Sequence, residues 1–133
     1  LPPEHIERVY FEFMIRYDAE KGGMPLNILI EALTAEGCIV ATPRYPLLHQ
    51  QPFFTHEIWK SVARLPDSID LPIYKPDALP RTETANHELI KLPVFPNANQ
   101  DLLDQYTLAF EKVLSYAEEI TARSEFKLQF AND

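Results

Sequence analysis

The residue types best suited to binding chemistry lie close together in the segment ATPRYPLLHQQPFF, residues 41–54. Arg44, Tyr45, His49 and Gln51 supply a cation, a phenol, an imidazole and an amide. Three prolines stiffen the segment, and a stiff loop loses less entropy when it orders its side chains. Binding residues often sit on rigid loops. The segment is therefore the candidate binding site, and the alternative is that Tyr45 and His49 close the core with satisfied hydrogen bonds.

Other recurring catalytic patterns are missing from the sequence. It has no glycine-rich phosphate loop, no HExxH, no CxxC and no GxSxG motif. The four histidines are too scattered to predict a metal site. Cys38 is alone, follows a predicted helix and precedes an apolar run, which favours a small buried hydrophobe over a nucleophile. No catalytic residue is predicted in this chain.

Composition limits the classes of protein that fit. The 133 residues suit one domain, and an apolar fraction of 46% is typical of a globular chain. A net charge of −8 argues against nucleic acid and against an anionic membrane as partners. The single cysteine favours a cytoplasmic location. Because the chain begins with Leu1, we expect a fragment or a processed product.

Hydrophobic periodicity predicts the first elements. Residues 8–17 alternate, with Val9, Phe11, Phe13, Ile15 and Tyr17 on one face, which is typical of a strand that buries this face. The next signal is a helix over residues 24–37, in which Pro25 suits the first helical position and Gly37 suits the left-handed residue just past the end. Its apolar stripe is Leu26, Leu29, Ile30 and Leu33. A short buried strand, CIVAT, follows.

The second half of the chain predicts fewer regular elements. Residues 54–63 suit a short helix, and residues 61–80 form a proline-rich excursion that is long for a connection. A short helix and a strand at Lys91–Phe95 come next. A long helix follows residues 97–99, capped by Asn97 with Gln100 or by Asn99. The fold class is therefore α+β, with a small antiparallel or mixed sheet of three or four strands and helices on one face.

The order of several sequence motifs indicates a family. A strand VYFEFMIRY precedes LIEALTAEG, a short strand and then RYPLLHQQPFF. Later come Leu-Pro, a short helix, LPVFPNA and DQYTLAFEKVL. In this order the motifs resemble the C-terminal part of the DegT/DnrJ/StrS-type aminotransferases, from about Val9 to about Leu114. The most specific piece is Tyr45, Pro46, His49, Gln51 and Pro52.

The resemblance implies a fold and an activity. Members of this family use pyridoxal phosphate to aminate nucleotide-linked keto-sugars or keto-cyclitols, with glutamate or glutamine as amino donor. Residues 1–133 would form the small α+β domain of a fold-type I enzyme. The large domain, with the Schiff-base lysine and most cofactor contacts, would lie upstream of Leu1. None of the six lysines matches the cofactor lysine, so this chain alone should be inactive.

The resemblance also assigns roles at the loop. His49 would contact the substrate or the carboxylate of the amino donor, Tyr45 would support it, and Gln51 would hold the loop. Arg44 stands where the family often has a histidine. A homodimer is implied, because such active sites are usually shared between subunits.

Two other interpretations stay open from the sequence. One is a free-standing α+β ligand-binding or regulatory module without catalysis. The other is a homologue that lost catalysis and acts as an interaction protein.

Overall fold

A computed structural model describes His5, residues 11–62, Arg64, Pro66, Ile69, residues 72–75 and residues 77–130, with side chains described up to Ser124. Residues 8–10 of the predicted first strand lie outside this part of the chain. So do residues 63, 65, 67, 68, 70, 71 and 76 of the predicted proline-rich excursion.

The described part of the chain is mostly helical, and its two short strands are far apart in sequence. Their bounds are β1 (Phe13–Arg16), α1 (Ala19–Gly22), α2 (Leu26–Ala35), a 3₁₀ turn (Leu48–Gln50), α3 (Pro52–Thr55), α4 (Trp59–Val62), α5 (Pro80–His87), β2 (Leu89–Leu92), α6 (Gln100–Ser115) and α7 (Ala117–Phe130). The chain divides into two compact units, Leu1–Thr42 with Glu88–Asp133 and Pro43–His87. The single domain of the sequence analysis stays a prediction.

The first unit contains the sheet. Strands β1 and β2 pair antiparallel, with Phe13 opposite Leu92 and Ile15 opposite Ile90. Lys91 also exchanges both backbone hydrogen bonds with Ala41, at 2.7 and 3.1 Å. Within the described residues, the sheet therefore has two strands and one further bridge at the predicted strand CIVAT. The α+β class of the prediction holds at this level.

Helices α2, α6 and α7 cover an apolar core in the same unit, because α2 packs against both of the others. Met24, Leu29, Leu33 and Ile90 are the largest fully buried side chains. The buried cluster is completed by Ile28, Cys38, Ala109, Val113 and Ala117.

Gly37 lies just past the end of α2 as predicted, whereas Pro25 is the residue before the helix rather than its first residue. Pro25 precedes the helix in an extended conformation, and Gly37 follows it with φ of 90°, in the left-handed region that favours glycine. Leu29 and Leu33 of the predicted stripe are buried, together with Ile28. The neighbouring Glu36 carboxylate pairs with Lys112 of α6 at 2.7 Å.

The structure corrects three details of the elements. Phe11 was assigned to the buried face of the first strand, but it is 77% exposed, because β1 begins only at Phe13. The later strand spans Leu89–Leu92 rather than Lys91–Phe95, since Pro93 offers no N–H to continue the ladder. Asn99 caps α6 by accepting a hydrogen bond from the Leu102 N–H at 3.0 Å, so the Asn97 alternative is wrong.

The second unit is built from short helical segments. Between α4 and α5, the residues that the structure describes form neither helix nor strand. Trp59, in α4, is buried, as is His49 in the 3₁₀ turn. Among the described residues of this unit these are the two buried positions, so one of them is polar and must be satisfied by a partner.

Candidate functional site

The candidate loop is held by hydrogen bonds of its own. The backbone N–H groups of Gln50 and Gln51 donate to the carbonyls of Leu47 and Leu48, each at 3.1 Å. The Gln51 side chain donates to the Leu47 carbonyl at 3.3 Å. Pro52 then occupies the first position of α3, where its missing N–H costs nothing. The loop is thus folded locally around His49.

His49 forms the central contact of this site. Its ring is 6% exposed, and its Nε2 lies 2.8 Å from Oε1 of Glu83. Glu83 belongs to α5, where its backbone N–H donates to the Leu79 carbonyl. The side chain of Glu83 is also largely covered. A buried imidazole and a carboxylate 34 positions apart in sequence therefore satisfy each other.

The contact sets the charge of Glu83. The hydrogen bond from His49 lowers the pKa of the Glu83 carboxyl, and bonds from the Leu79 backbone and from Gln50 act in the same direction. Glu83 is therefore ionised at neutral pH and can only accept hydrogen bonds. It follows that Nε2 of His49 carries a hydrogen and donates it to Glu83.

Aromatic rings lie beside this pair. The Tyr74 ring meets the His49 ring edge-on, with 6.0 Å between centroids. Phe54 meets Tyr74 edge-on at 5.9 Å, and Phe53 meets Phe54 at 5.0 Å. Edge-on arrangements of this kind are favourable. They also reduce the water around the pair, which strengthens its hydrogen bond.

Tyr45 and Arg44 lie elsewhere on the loop. Tyr45 is 62% exposed, and the Arg44 guanidinium carbon lies 5.8 Å from the centre of its ring. The structure pairs His49 with Glu83 rather than with Tyr45. The alternative interpretation was that both residues are packed inside with satisfied hydrogen bonds. His49 is buried and hydrogen-bonded to Glu83, so this part agrees with the structure. For Tyr45 the interpretation is wrong, because its side chain is exposed.

Glu83 is the residue that sequence reasoning missed. It sits in the stretch RTETANH, where a carboxylate in the first turn of a helix has an ordinary electrostatic explanation. No local pattern connects this stretch to His49. The sequence indicated only that a buried histidine needs a hydrogen-bond partner, and it did not indicate which residue that partner is.

Pyridoxal phosphate enzymes need one lysine amine for their Schiff base. Of the five lysines whose side chains the structure describes, four, all but Lys75, form ion pairs with carboxylates. The pairs are Lys21 with Asp18, Lys60 with Glu57, Lys91 with Glu12 and Lys112 with Glu36.

Cys38 and the possible metal ligands are the remaining side chains with catalytic potential. Cys38 is buried as predicted, and burial raises the pKa of its thiol, with the nearby Glu36 acting in the same direction. A raised pKa disfavours a nucleophilic thiolate. Among the described residues, no group of three or more histidine, cysteine or acidic side chains is placed to hold a metal ion.

A separate apolar groove of about 400 Å³ lies in the first unit. Ile39, Phe95 and Tyr106 line it, and the Phe95 and Tyr106 rings meet edge-on at 4.9 Å. The Ile39 N–H donates to the Tyr106 hydroxyl at 2.9 Å, which fixes one wall of the groove.

Comparison with known proteins finds no matching family model, no matching curated protein and no matching solved structure. None of the helices in the described part of the chain has the length and apolar character needed to cross a membrane.

Proposed function

We propose that the chain is the small domain of a pyridoxal-phosphate-dependent aminotransferase of the DegT/DnrJ/StrS type. The observation that carries this proposal is the order of motifs along nearly the whole chain, from the VYFEFMIRY strand to the DQYTLAFEKVL helix. The enzyme would aminate a nucleotide-linked keto-sugar or keto-cyclitol with glutamate or glutamine.

The fold is compatible with this proposal at a coarse level. An antiparallel strand pair and the helices α2, α6 and α7 share one core. Lys91 pairs with Ala41 through the backbone groups on one edge of β2, and β1 takes the other edge. We therefore propose that β2 is the central strand of a sheet of three or four strands, as in the small domains of fold-type I enzymes.

Exposed apolar side chains in the first unit also support the proposal. Phe11 is 77% exposed, Ile39 74% and Leu108 62%. Apolar side chains that form one contiguous exposed patch mark surfaces that pack on another domain or subunit, and the proposal places these three residues at such surfaces. The proposed partners are the large domain of the same enzyme and a second subunit in a homodimer. A cytoplasmic location, without nucleic-acid or membrane partners, belongs to the same proposal.

The cofactor would be held mainly by the large domain, since none of the six lysines of this chain matches the cofactor lysine of the family. The contribution of this chain would be positioning and the exclusion of water. The proposal assigns the substrate contact to His49, which is buried and is contacted by Glu83 and Tyr74. Arg44 and Tyr45 would act from the exposed part of the loop.

The test uses the complete reading frame that encodes this chain, expressed and purified with added pyridoxal phosphate. The proposal expects a visible absorption band of lysine-bound cofactor that bleaches with L-glutamate or L-glutamine. A full-length protein that folds and shows no such band would refute it. The variant Cys38→Ser is a control, since the buried thiol is assigned no role and the band should persist.

A second candidate function is a free-standing ligand-binding module, and the apolar groove at Ile39, Phe95 and Tyr106 favours it. A groove of this size and lining suits a small apolar ligand. This candidate predicts that the 133-residue chain is monodisperse and folds stably without other domains. Size-exclusion chromatography with light scattering would separate the two functions, because an unpartnered small domain should associate through its exposed apolar side chains.

A further inference from the structure

The apolar groove in the first unit is open to solvent on one side. Two of the residues that line it, Ile39 and Leu102, are 74% and 38% exposed. A bound small molecule usually has most of its surface covered by its pocket. Walls as exposed as these leave space for an extended chain to lie across the groove, beyond the small apolar ligand that its volume alone would suit.

Aromatic and proline side chains form much of the lining. The rings of Phe95 and Tyr106 meet at 88° with 4.9 Å between centroids, and Pro93 and Pro96 lie beside them. Phe95 has a φ of 52°, in the left-handed region that a bulky side chain rarely adopts. Such conformations are concentrated at binding sites. Aromatic-lined grooves are also the surfaces on which proline-rich segments dock in the polyproline II conformation.

The groove offers hydrogen-bond donors that lack acceptors. The Tyr106 hydroxyl accepts from the Ile39 N–H at 2.9 Å, and its own hydrogen has no acceptor among the described residues. The exposed Asn97 side chain, also in the lining, has no hydrogen-bond partner there either. A polyproline II segment makes no internal hydrogen bonds, and its prolines present carbonyl acceptors without N–H donors. The donors of the groove therefore match the acceptors of such a segment.

Charge adds a requirement for the partner. Among the described residues that line the groove, none is charged. Asp101 lies in the first turn of α6, next in sequence to the lining residue Leu102, and within the described part of the chain it forms no ion pair. The whole chain carries a net charge of −8. A negative surface attracts positively charged partners, so charge complementarity favours a segment with a basic residue beside its prolines.

We propose that this groove binds a proline-rich segment of another protein, in the polyproline II conformation and with a basic residue beside its prolines. The proline rings would pack against Phe95 and Tyr106. Carbonyl oxygens would accept from the Tyr106 hydroxyl and the Asn97 amide, and the basic side chain would lie near Asp101. This inference goes beyond the proposed function and does not depend on it.

The experiment uses the complete protein that contains this chain and a fluorescein-labelled oligoproline peptide with an arginine at its start. Fluorescence anisotropy measures the Kd. We expect saturable binding that weakens about fivefold in Asn97→Ala and in Tyr106→Phe, as expected for the loss of one hydrogen bond. Asp101→Asn should weaken binding about twofold, and added salt should reduce this difference. The control Leu108→Ala changes an exposed side chain of α6 outside the groove and should leave the Kd unchanged.

Two control peptides test the chemistry of the partner. A peptide with alanine in place of each proline should bind at least tenfold more weakly, because it is not held in the polyproline II conformation. A peptide with glutamate in place of arginine should also bind more weakly. Equal binding of the alanine peptide would overturn the proposal, and equal binding of the glutamate peptide would overturn its basic residue.

The location of binding has its own refutation. A folded complete protein that does not bind the oligoproline peptide, or whose Asn97→Ala variant binds as tightly as the wild type, would overturn the proposal. Asn97→Ala keeps this test decisive even where Tyr106→Phe does not fold. Light scattering on the same samples tests a second copy as occupant. If Ile39→Asp converts a dimer to a monomer, the groove is an interface between copies and the proposed partner is wrong.

Discussion

Replacing Leu29 by alanine should destabilise the core on which the first unit depends. Leu29 is 0% exposed in α2 and packs in the cluster that includes Leu33 and Ile90. The substitution removes three carbon atoms, and at about 0.8 kcal/mol for each buried methylene-sized group the transfer cost is about 2.5 kcal/mol. The cavity left behind adds to this cost. We therefore expect a loss of roughly 3–4 kcal/mol in the free energy of unfolding.

The assay is urea unfolding followed by far-UV circular dichroism, with a thermal melt on the same samples. Leu108→Ala is the matched control, since it makes the same chemical change in helix α6 at a side chain that is 62% exposed. The control should change the free energy of unfolding by no more than about 0.5 kcal/mol. In the thermal melt, Leu29→Ala should lower Tm by roughly 10–15 °C. If the two variants differ by less than about 1 kcal/mol, Leu29 does not lie in a packed core as described.

Three other substitutions test separate parts of the chain. Gly22→Ala should lower the free energy of unfolding by about 1 kcal/mol or more, because the new methyl group would collide with the Tyr17 ring, whose hydroxyl donates to the Met24 carbonyl at 2.9 Å. Urea unfolding of Tyr17→Phe, measured in parallel, shows how much of this loss comes from that hydrogen bond. Asn99→Ala should cost about 1 kcal/mol in urea unfolding through loss of the α6 cap, whereas Asn97→Ala should be nearly neutral. Because the folded protein lowers the pKa of Glu83, the stability from its ionised form is present above the unfolded value and is lost as the pH falls from about 5 to below 4. Glu83→Gln should lack this part of the acid dependence of the urea midpoint, and an unchanged acid profile would contradict the assigned contact.

Where a signal was local, the sequence predicted the structure closely. Pro25 and Gly37 bound α2 because each has a backbone preference that acts at its own position. The alternation around Phe13 and Ile15 predicted a strand, and that strand is β1. Asn99 was one of two possible caps, and only the geometry of the first turn decided between them.

The candidate site could be predicted only in part. Residues 41–54 were identified by their composition, and His49 does lie in a defined, buried position within them. Its partner Glu83 is 34 positions away, and no spacing rule relates two residues that meet only when the chain folds. The exposure of Tyr45 was missed for the same reason, since loop residues of similar type can point to the core or to solvent.

By itself, the sequence determined that a strand forms around Phe13 and Ile15 and that helices form at α2 and α6, and it determined the negative charge of the chain and the motif order on which the proposed function rests. These properties depend on neighbouring residues or on simple counts. Tertiary structure alone decided that β2 pairs with β1 on one edge and with Ala41 on the other, and that the Glu83 carboxylate lies 2.8 Å from Nε2 of His49. Both results come from contacts between distant residues, where burial makes an unsatisfied polar group costly and so selects the partner.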